Sequence, residues 1–192
     1  MATLNNGSSN YGAKRAILTL ADFSGKKLRI NGTDLERAKM SKMGATGIAM
    51  PLSEVMPALD QGTIDGTISG TSVFVSFKMV DLVKTITITN DAMIVAIAVV
   101  SKPWLDTLPP DLQKLVIDTG KEIEPKAQAW QIDFSKQLEK DWTAMGGVVH
   151  RFGPEDVAKM KESLASVADD VTKSQPAVHD MLMKVRSVAA KY

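Results

Sequence analysis

An α/β fold built on a parallel sheet is predicted by three features of the chain. Short apolar runs at Lys27–Asn31, Gly47–Met50 and Thr63–Ser69 alternate with stretches of helical length. That rhythm implies parallel strands joined by right-handed helical crossovers. Further on, Thr85-Ile-Thr-Ile-Thr89 alternates strictly and Met93–Val100 is apolar throughout, the clearest strand signal in the sequence. Finally, apolar residues recur every three or four positions from Leu112 to Met145, the period of one very long helix.

Taken in order, Met1–Gly12 is rich in Asn, Ser and Gly and is expected to be loose. It has no basic start followed by an apolar core, so it does not read as a secretory signal peptide. After the first strand, Asn31-Gly32 turns the chain, and Thr33 or Asp34 is placed to cap a helix over Leu35–Met43 that Gly44 stops. Ser53 is expected to cap the next helix, with Glu54 in its first turn favouring the helix dipole and Gly62 ending it. Asp65-Gly66 turns into the third strand. Ser72–Lys84 reads as a short helix carrying Phe74, Phe77 and Val80 inward.

Pro109-Pro110-Asp111 opens the long helix, Pro125 should bend it, and Gly146-Gly147 ends it. Its aromatic stripe suits packing, so Trp130, Phe134 and Trp142 are expected to be packing residues. Val148–Phe152 is a short strand. Pro154 then sits in the first turn of a helix with Val157, Met160 and Leu164 on its apolar face. Beyond Pro176 the chain ends in an amphipathic helix over Ala177–Tyr192.

Composition removes whole classes of function. The 192 residues carry a net charge of +1, which gives no global pull toward nucleic acid or anionic lipid. With no cysteine, disulfides, thiol nucleophiles and thiolate metal sites are excluded. Two histidines, His150 and His179, cannot make a three-histidine metal site, and neither sits in a recognisable catalytic pattern. Glu54 and Asp65 likewise form no constellation with them, and nothing in the sequence calls for a cofactor. The longest apolar run, Ala92–Val100, is far short of a membrane span.

In parallel sheets ligands gather at the carboxyl ends of strands, beside helix N-termini. That rule brings Arg29–Thr33, Met50–Ser53 and Ile68–Thr71 together. Arg29 is the conspicuous member, since a guanidinium inside the apolar run Leu28-Arg29-Ile30 needs an anion or a set of acceptors if buried. A surface strand with Arg29 on its wet face is the competing reading. Thr33, Ser69 and Thr71 add small hydroxyls of a kind that ligands use.

The same residues carry a family resemblance. Asp22-x-x-Gly25-x-Lys27-x-Arg29 is followed by Met50-x-x-Ser53-Glu54-Val55-x-x-Ala58-Leu59-x-x-Gly62-x-x-Asp65-Gly66. Over nearly fifty positions this resembles the solute-binding proteins of TRAP transporters, with weaker likeness through Leu108–Lys114 and beyond. The resemblance implies a periplasmic-binding-protein-like fold of which this chain holds the later part. Residues 14–94 would form the substrate-binding α/β lobe, after a flexible segment at 1–13. Residues 95–192 would supply a crossover strand, a long bent inter-lobe helix and the C-terminal helices of an incomplete first lobe. Val95–Val100 would then lack a complete sheet to join, and an unpaired apolar strand invites another chain to pair with it.

It further implies the capture of a small organic acid anion for a membrane permease, in the periplasm, with no bond-making and no cofactor. Arg29 would hold the carboxylate through a two-pronged contact, for which a guanidinium fork is suited. Leu52 stands where the family commonly has an aromatic residue, and Ser69 where it often has Asn. A further arginine of some members would fall near Ser9 and is absent. With half of a cleft, ligand affinity should be impaired. The alternative reading is a stand-alone interaction module without ligand capture, self-associating as a homodimer through the exposed lobe interface.

Overall fold

The computed structural model describes residues 2–191. Its centre is the segment expected to be loose. Strand β1 (Ala2–Ala13) runs antiparallel between two other strands, with Tyr11 opposite both Ile68 and Thr87. At Gly12 the lack of a side chain reflects crowding. A side chain at Gly12 would collide with the Phe74 ring and Val83, and one at Gly66 with the Gly12 carbonyl and Ala13. Small residues let these backbones approach, which composition alone reads as looseness. Met1 lies outside the described residues.

Three parallel strands lie on one side of β1. They are β2 (Lys27–Ile30), β3 (Thr46–Ala49) and, against β1 itself, β4 (Gly66–Gly70), in the order β3-β2-β4-β1. Helix α1 (Asp34–Lys42) connects β2 to β3. Thr33 caps it, its hydroxyl accepting from the Glu36 amide at 3.1 Å while the Glu36 carboxylate accepts from the Thr33 amide at 3.3 Å. Gly44 leaves it with φ of 75°. Between β3 and β4 come a 3-10 turn over Leu52–Glu54 and α2 (Val55–Asp60). Ser53 lies inside that turn and makes no cap, contrary to expectation, because the 3-10 turn begins one residue earlier. The Asp65 carboxylate accepts from the Lys27 amide at 2.7 Å, tying the entry of β4 to β2.

On the other side of β1, β5 (Thr85–Ile88) pairs parallel with β7 (Val148–Arg151), completing a mixed sheet. Helix α3 (Thr71–Ser76) precedes β5. Its Phe74 is fully buried, but Phe77 is 43% exposed where an inward position was expected. The helix ends at Ser76, and the chain turns through Lys78 in a left-handed conformation, so the helical period stops before it reaches Phe77.

Strand β6 (Met93–Ala98) pairs along the first half of β1, from Ala98 opposite Ala2 to Met93 opposite Ser8. It therefore has a partner, although Met93, Val95 and Ile97 all stay more than half exposed. Helices α4 (Lys102–Asp106) and α5 (Pro110–Ala144) follow, the latter 35 residues long with Pro125 inside. Only the C-terminal part of α5 enters the core. Trp142 is fully buried and its indole N–H donates to the Val148 carbonyl at 3.1 Å. Trp130 departs from its expected packing role, being 59% exposed and stacked on Phe134 at 4.5 Å. Helices α6 (Pro154–Leu164), α7 (Val167–Thr172) and α8 (Pro176–Ala189) close the chain, with no buried residue in α8.

Two apolar cores result. One gathers Tyr11, Phe23, Leu28, Ile30, Met40 and Ile68, with the Tyr11 and Phe23 rings edge-to-face at 4.8 Å. The other gathers Val55, Leu59, Phe74, Ile86 and Trp142. Strand alternation sends Leu28 and Ile30 into the first, so Arg29 points to the second face, level with Ile48 and Thr67.

Candidate functional site

A cleft of about 670 Å³ opens where the connection rule places a site, at the carboxyl ends of β2 and β4 and the start of α1. Ala92–Ile94 and the α6–α7 corner complete it. Its polar lining includes Ser9, Asn31, Thr33, Glu36, Ser69 and Ser72, while Leu35, Val73, Ile94, Leu164 and Val167 give it an apolar wall.

Arg29, one position before the end of β2, is only 6% exposed. Its Nε donates to the Met50 carbonyl at 3.0 Å, the one hydrogen bond of this guanidinium among the described residues, and no carboxylate pairs with it there. No fully buried side-chain nitrogen or oxygen among those residues lacks a partner. The two terminal nitrogens of Arg29, having none, therefore keep contact with solvent. Burial pulls its pKa below the ordinary arginine value, and the negative charge of Glu36 opposes that. The forked end of this cation is presented without an anion of its own.

Glu36 has the reverse environment. Burial acts to raise its pKa, but bonds from the Asn31 amide and from the backbone and hydroxyl of Thr33 outweigh it and hold the carboxyl below the usual range. It is a fixed anion on the cleft wall. A second charged group forms the floor. Lys39 donates to Asp91 at 2.8 Å, with the two side chains 11% and 3% exposed. Asp91 also accepts from the Tyr11 hydroxyl at 3.0 Å and from Thr89. Burial and the Asp91 charge push the Tyr11 phenol well above its usual pKa.

Among the residues singled out from sequence, Thr33 and Ser69 line the cleft, whereas Arg29 is not among its lining residues. Leu52 packs against the second core instead. Thr71 accepts from the Asn10 amide at 2.8 Å and lines a separate pocket of about 120 Å³ against α5. Glu36, Lys39 and Asp91 were not anticipated. Asn90-Asp91 is visible in the sequence as a break between strands, but nothing local shows that Asp91 turns inward to Lys39. His150 lies 2.8 Å from the Leu18 carbonyl and His179 lies 2.9 Å from the Thr172 hydroxyl, both away from the cleft. Among the described residues no three His, Asp or Glu side chains could hold a metal.

The Arg29 guanidinium is buried without a paired carboxylate among the described residues, and a cleft opens at the strand ends of the same sheet. Residues 1–175 match the model of bacterial extracellular solute-binding protein family 7, and the chain belongs to that family. The C4-dicarboxylate-binding periplasmic protein DctP of Rhodobacter capsulatus is 30% identical over 182 residues, covering 90% of this chain and 52% of its own. The 2,3-diketo-L-gulonate-binding periplasmic protein YiaO of Escherichia coli is 30% identical over 123 residues, 64% of this chain and 38% of its own. The chain thus spans about half the length of the first of these relatives and less of the second. A solute-binding protein of a TRAP transporter from Desulfovibrio salexigens, with bound orotic acid, superposes with a TM-score of 0.86 at 23% identity. The match covers 95% of this chain and 59% of that one. The ectoine-binding protein of Halomonas elongata also gives a TM-score of 0.86, at 20% identity over 95% and 60% of the two chains. At these identities the structural likeness establishes the fold.

Proposed function

We propose that this chain is the ligand-holding part of the extracytoplasmic solute-binding component of a TRAP transporter. It captures a small organic acid anion through Arg29, in the periplasm, and passes it to the membrane permease subunits. The observation that carries this reading is Arg29 itself: a guanidinium 6% exposed whose only bond among the described residues is from Nε to Met50, leaving both terminal nitrogens for a guest. A carboxylate matches that fork, and a charge-assisted pair in a partly dry site contributes far more than one in water. Thr33 and Ser69 add hydroxyls to the guest's surroundings, and the reaction is capture without chemistry. The names of the relatives support the substrate class and the compartment.

Thermal-shift measurement against a panel of organic acids tests it, comparing wild type with Arg29→Ala and Arg29→Lys. The expected result is a rise in melting temperature with at least one acid, lost in Arg29→Ala and weakened in Arg29→Lys, which keeps the charge but not the fork. An acid that stabilises Arg29→Ala as well as wild type would refute the role of Arg29.

A second reading rests on a different observation. The edge of β6 that is unpaired among the described residues and the exposed Met93, Val95, Ile97 and Val99 form an uncharged apolar strip, the kind of edge that recruits a second strand. Self-association through that edge, as a homodimer or as an interaction module without a ligand, is tested by light scattering across a dilution series. A Val95→Lys variant should stay monomeric; a mass unchanged by dilution and by the variant would exclude it.

A further inference from the structure

We infer that the open edge of β7 and the basic groove beside it form a docking site for an extended acidic segment of a partner protein, which adds to the sheet as a strand. This site is separate from Arg29 and from the apolar edge of β6.

Strand β7 ends the strand order, with β5 on one side and no strand on the other among the described residues. It pairs parallel with β5, and the Val148 and Phe152 amides donate inward to the Lys84 and Ile88 carbonyls at 2.8 and 3.2 Å. Backbone polar groups alternate between the two sides of a strand, so the N–H and C=O of Val149 and Arg151 face the open edge. The side chains of the same two residues share one face of β7. Across from them α5 presents Lys136, Glu139, Lys140 and Thr143, one helical face by their spacing. Between the two lies a groove of about 670 Å³.

The charge of this groove is unbalanced, with three cations against one carboxylate. The Glu139 carboxylate accepts from Nη2 of Arg151 at 2.6 and 2.8 Å. The Nη1 and Nε groups of Arg151 have no partner among the described residues, and Lys140 has no ion pair there. Lys136 meets Asp133 at 3.3 Å, with both side chains more than two-thirds exposed. A strand laid on β7 satisfies the outward backbone groups, and every second side chain of that strand points to the groove. Carboxylates at those positions meet Lys140, Lys136 and the free side of Arg151, which sets the charge of the partner. A free polyanion would meet the cations but leave the edge amides unpaired.

Fluorescence polarisation with labelled peptides tests this on the full 192-residue chain. The probe is a peptide alternating Glu and Val. One control alternates Lys and Val. The other is the Glu-Val peptide N-methylated at two adjacent central residues, which keeps the charge and stops both of its edges from pairing. The expected result is saturable binding of the Glu-Val peptide, with each control at least about tenfold weaker. Lys140→Glu, at an exposed position, should weaken the probe by a similar factor. Hydrogen exchange of the Val149 and Arg151 amides should slow when the peptide is bound. Absence of binding by the Glu-Val peptide overturns the proposal. Equal binding of the N-methylated peptide, or affinity unchanged by Lys140→Glu, also overturns it, since charge alone or another surface would then hold the peptide.

Discussion

Replacing Asp91 by alanine is the most informative test of how the cleft floor is held. The carboxylate is 3% exposed and accepts from Lys39, Tyr11 and Thr89. Its loss leaves an ammonium that is 11% exposed without a counter-charge, which costs about 3–5 kcal/mol where burial is complete. Lys39 retains a little solvent and lines the cleft, so water can enter beside it and the lower end of that range applies. We expect Asp91→Ala to cost about 3 kcal/mol, a large share of the roughly 5–15 kcal/mol that holds a typical domain. Urea unfolding read by circular dichroism measures it as a lower midpoint at unchanged slope. The pair Lys39→Met with Asp91→Leu completes a cycle. Removing both charges together should cost less than either removal alone, since no orphaned charge remains. A loss under about 1 kcal/mol for Asp91→Ala, or a double variant as unstable as the sum of its singles, would refute the reasoning.

Three further outcomes follow from the same contacts. Tyr11 has a raised pKa in the folded chain, so its contribution is intact below pH 10 and is lost as pH climbs through the folded value. Tyr11→Phe should remove the latest-titrating step in a phenolate absorbance titration. Glu36 has a lowered pKa, so its stabilisation is present above the usual glutamate range and disappears as pH falls through the folded value. Glu36→Ala should cost about 1 kcal/mol at neutral pH and less in acid, measured as a pH series of urea midpoints. Trp142→Ala should destabilise by about 3–5 kcal/mol, while Trp130→Ala stays within about 0.5 kcal/mol. In wild type, iodide should quench emission from the exposed Trp130 and Trp104 but not from the buried Trp142.

The alternating parallel units from Lys27 to Gly70 were legible because period and caps agree. Thr33 both follows the first strand and carries the capping pair with Glu36, and Gly44 and Gly62 both take positive φ where the helices stop. The central strand was hidden for a physical reason. β1 is flanked so closely that Gly12 must lack a side chain, and the resulting composition imitates a linker. Along α5 the apolar period is continuous, yet Leu115, Ile123 and Trp130 remain exposed and only the last turns meet the sheet. Periodicity reports which residues share a face and says nothing of what covers it. The strand-end rule, which depends on chain order, reached Thr33 and Ser69 of the cleft lining, while Arg29 was singled out by its place inside an apolar strand. The Lys39–Asp91 pair joins residues 52 positions apart, and no local pattern encodes it. Leu52 and Thr71 obeyed the rule by position, but their side chains are drawn to the second core and to Asn10.

Calorimetric titration of an organic acid into wild type and Arg29→Ala tests the central claim most directly. A carboxylate held by both terminal nitrogens should bind saturably at one site in wild type. It should weaken at least about a hundredfold in the variant, the loss of two charge-assisted hydrogen bonds. Equal affinity in the two proteins would mean that the free guanidinium is not what holds the ligand.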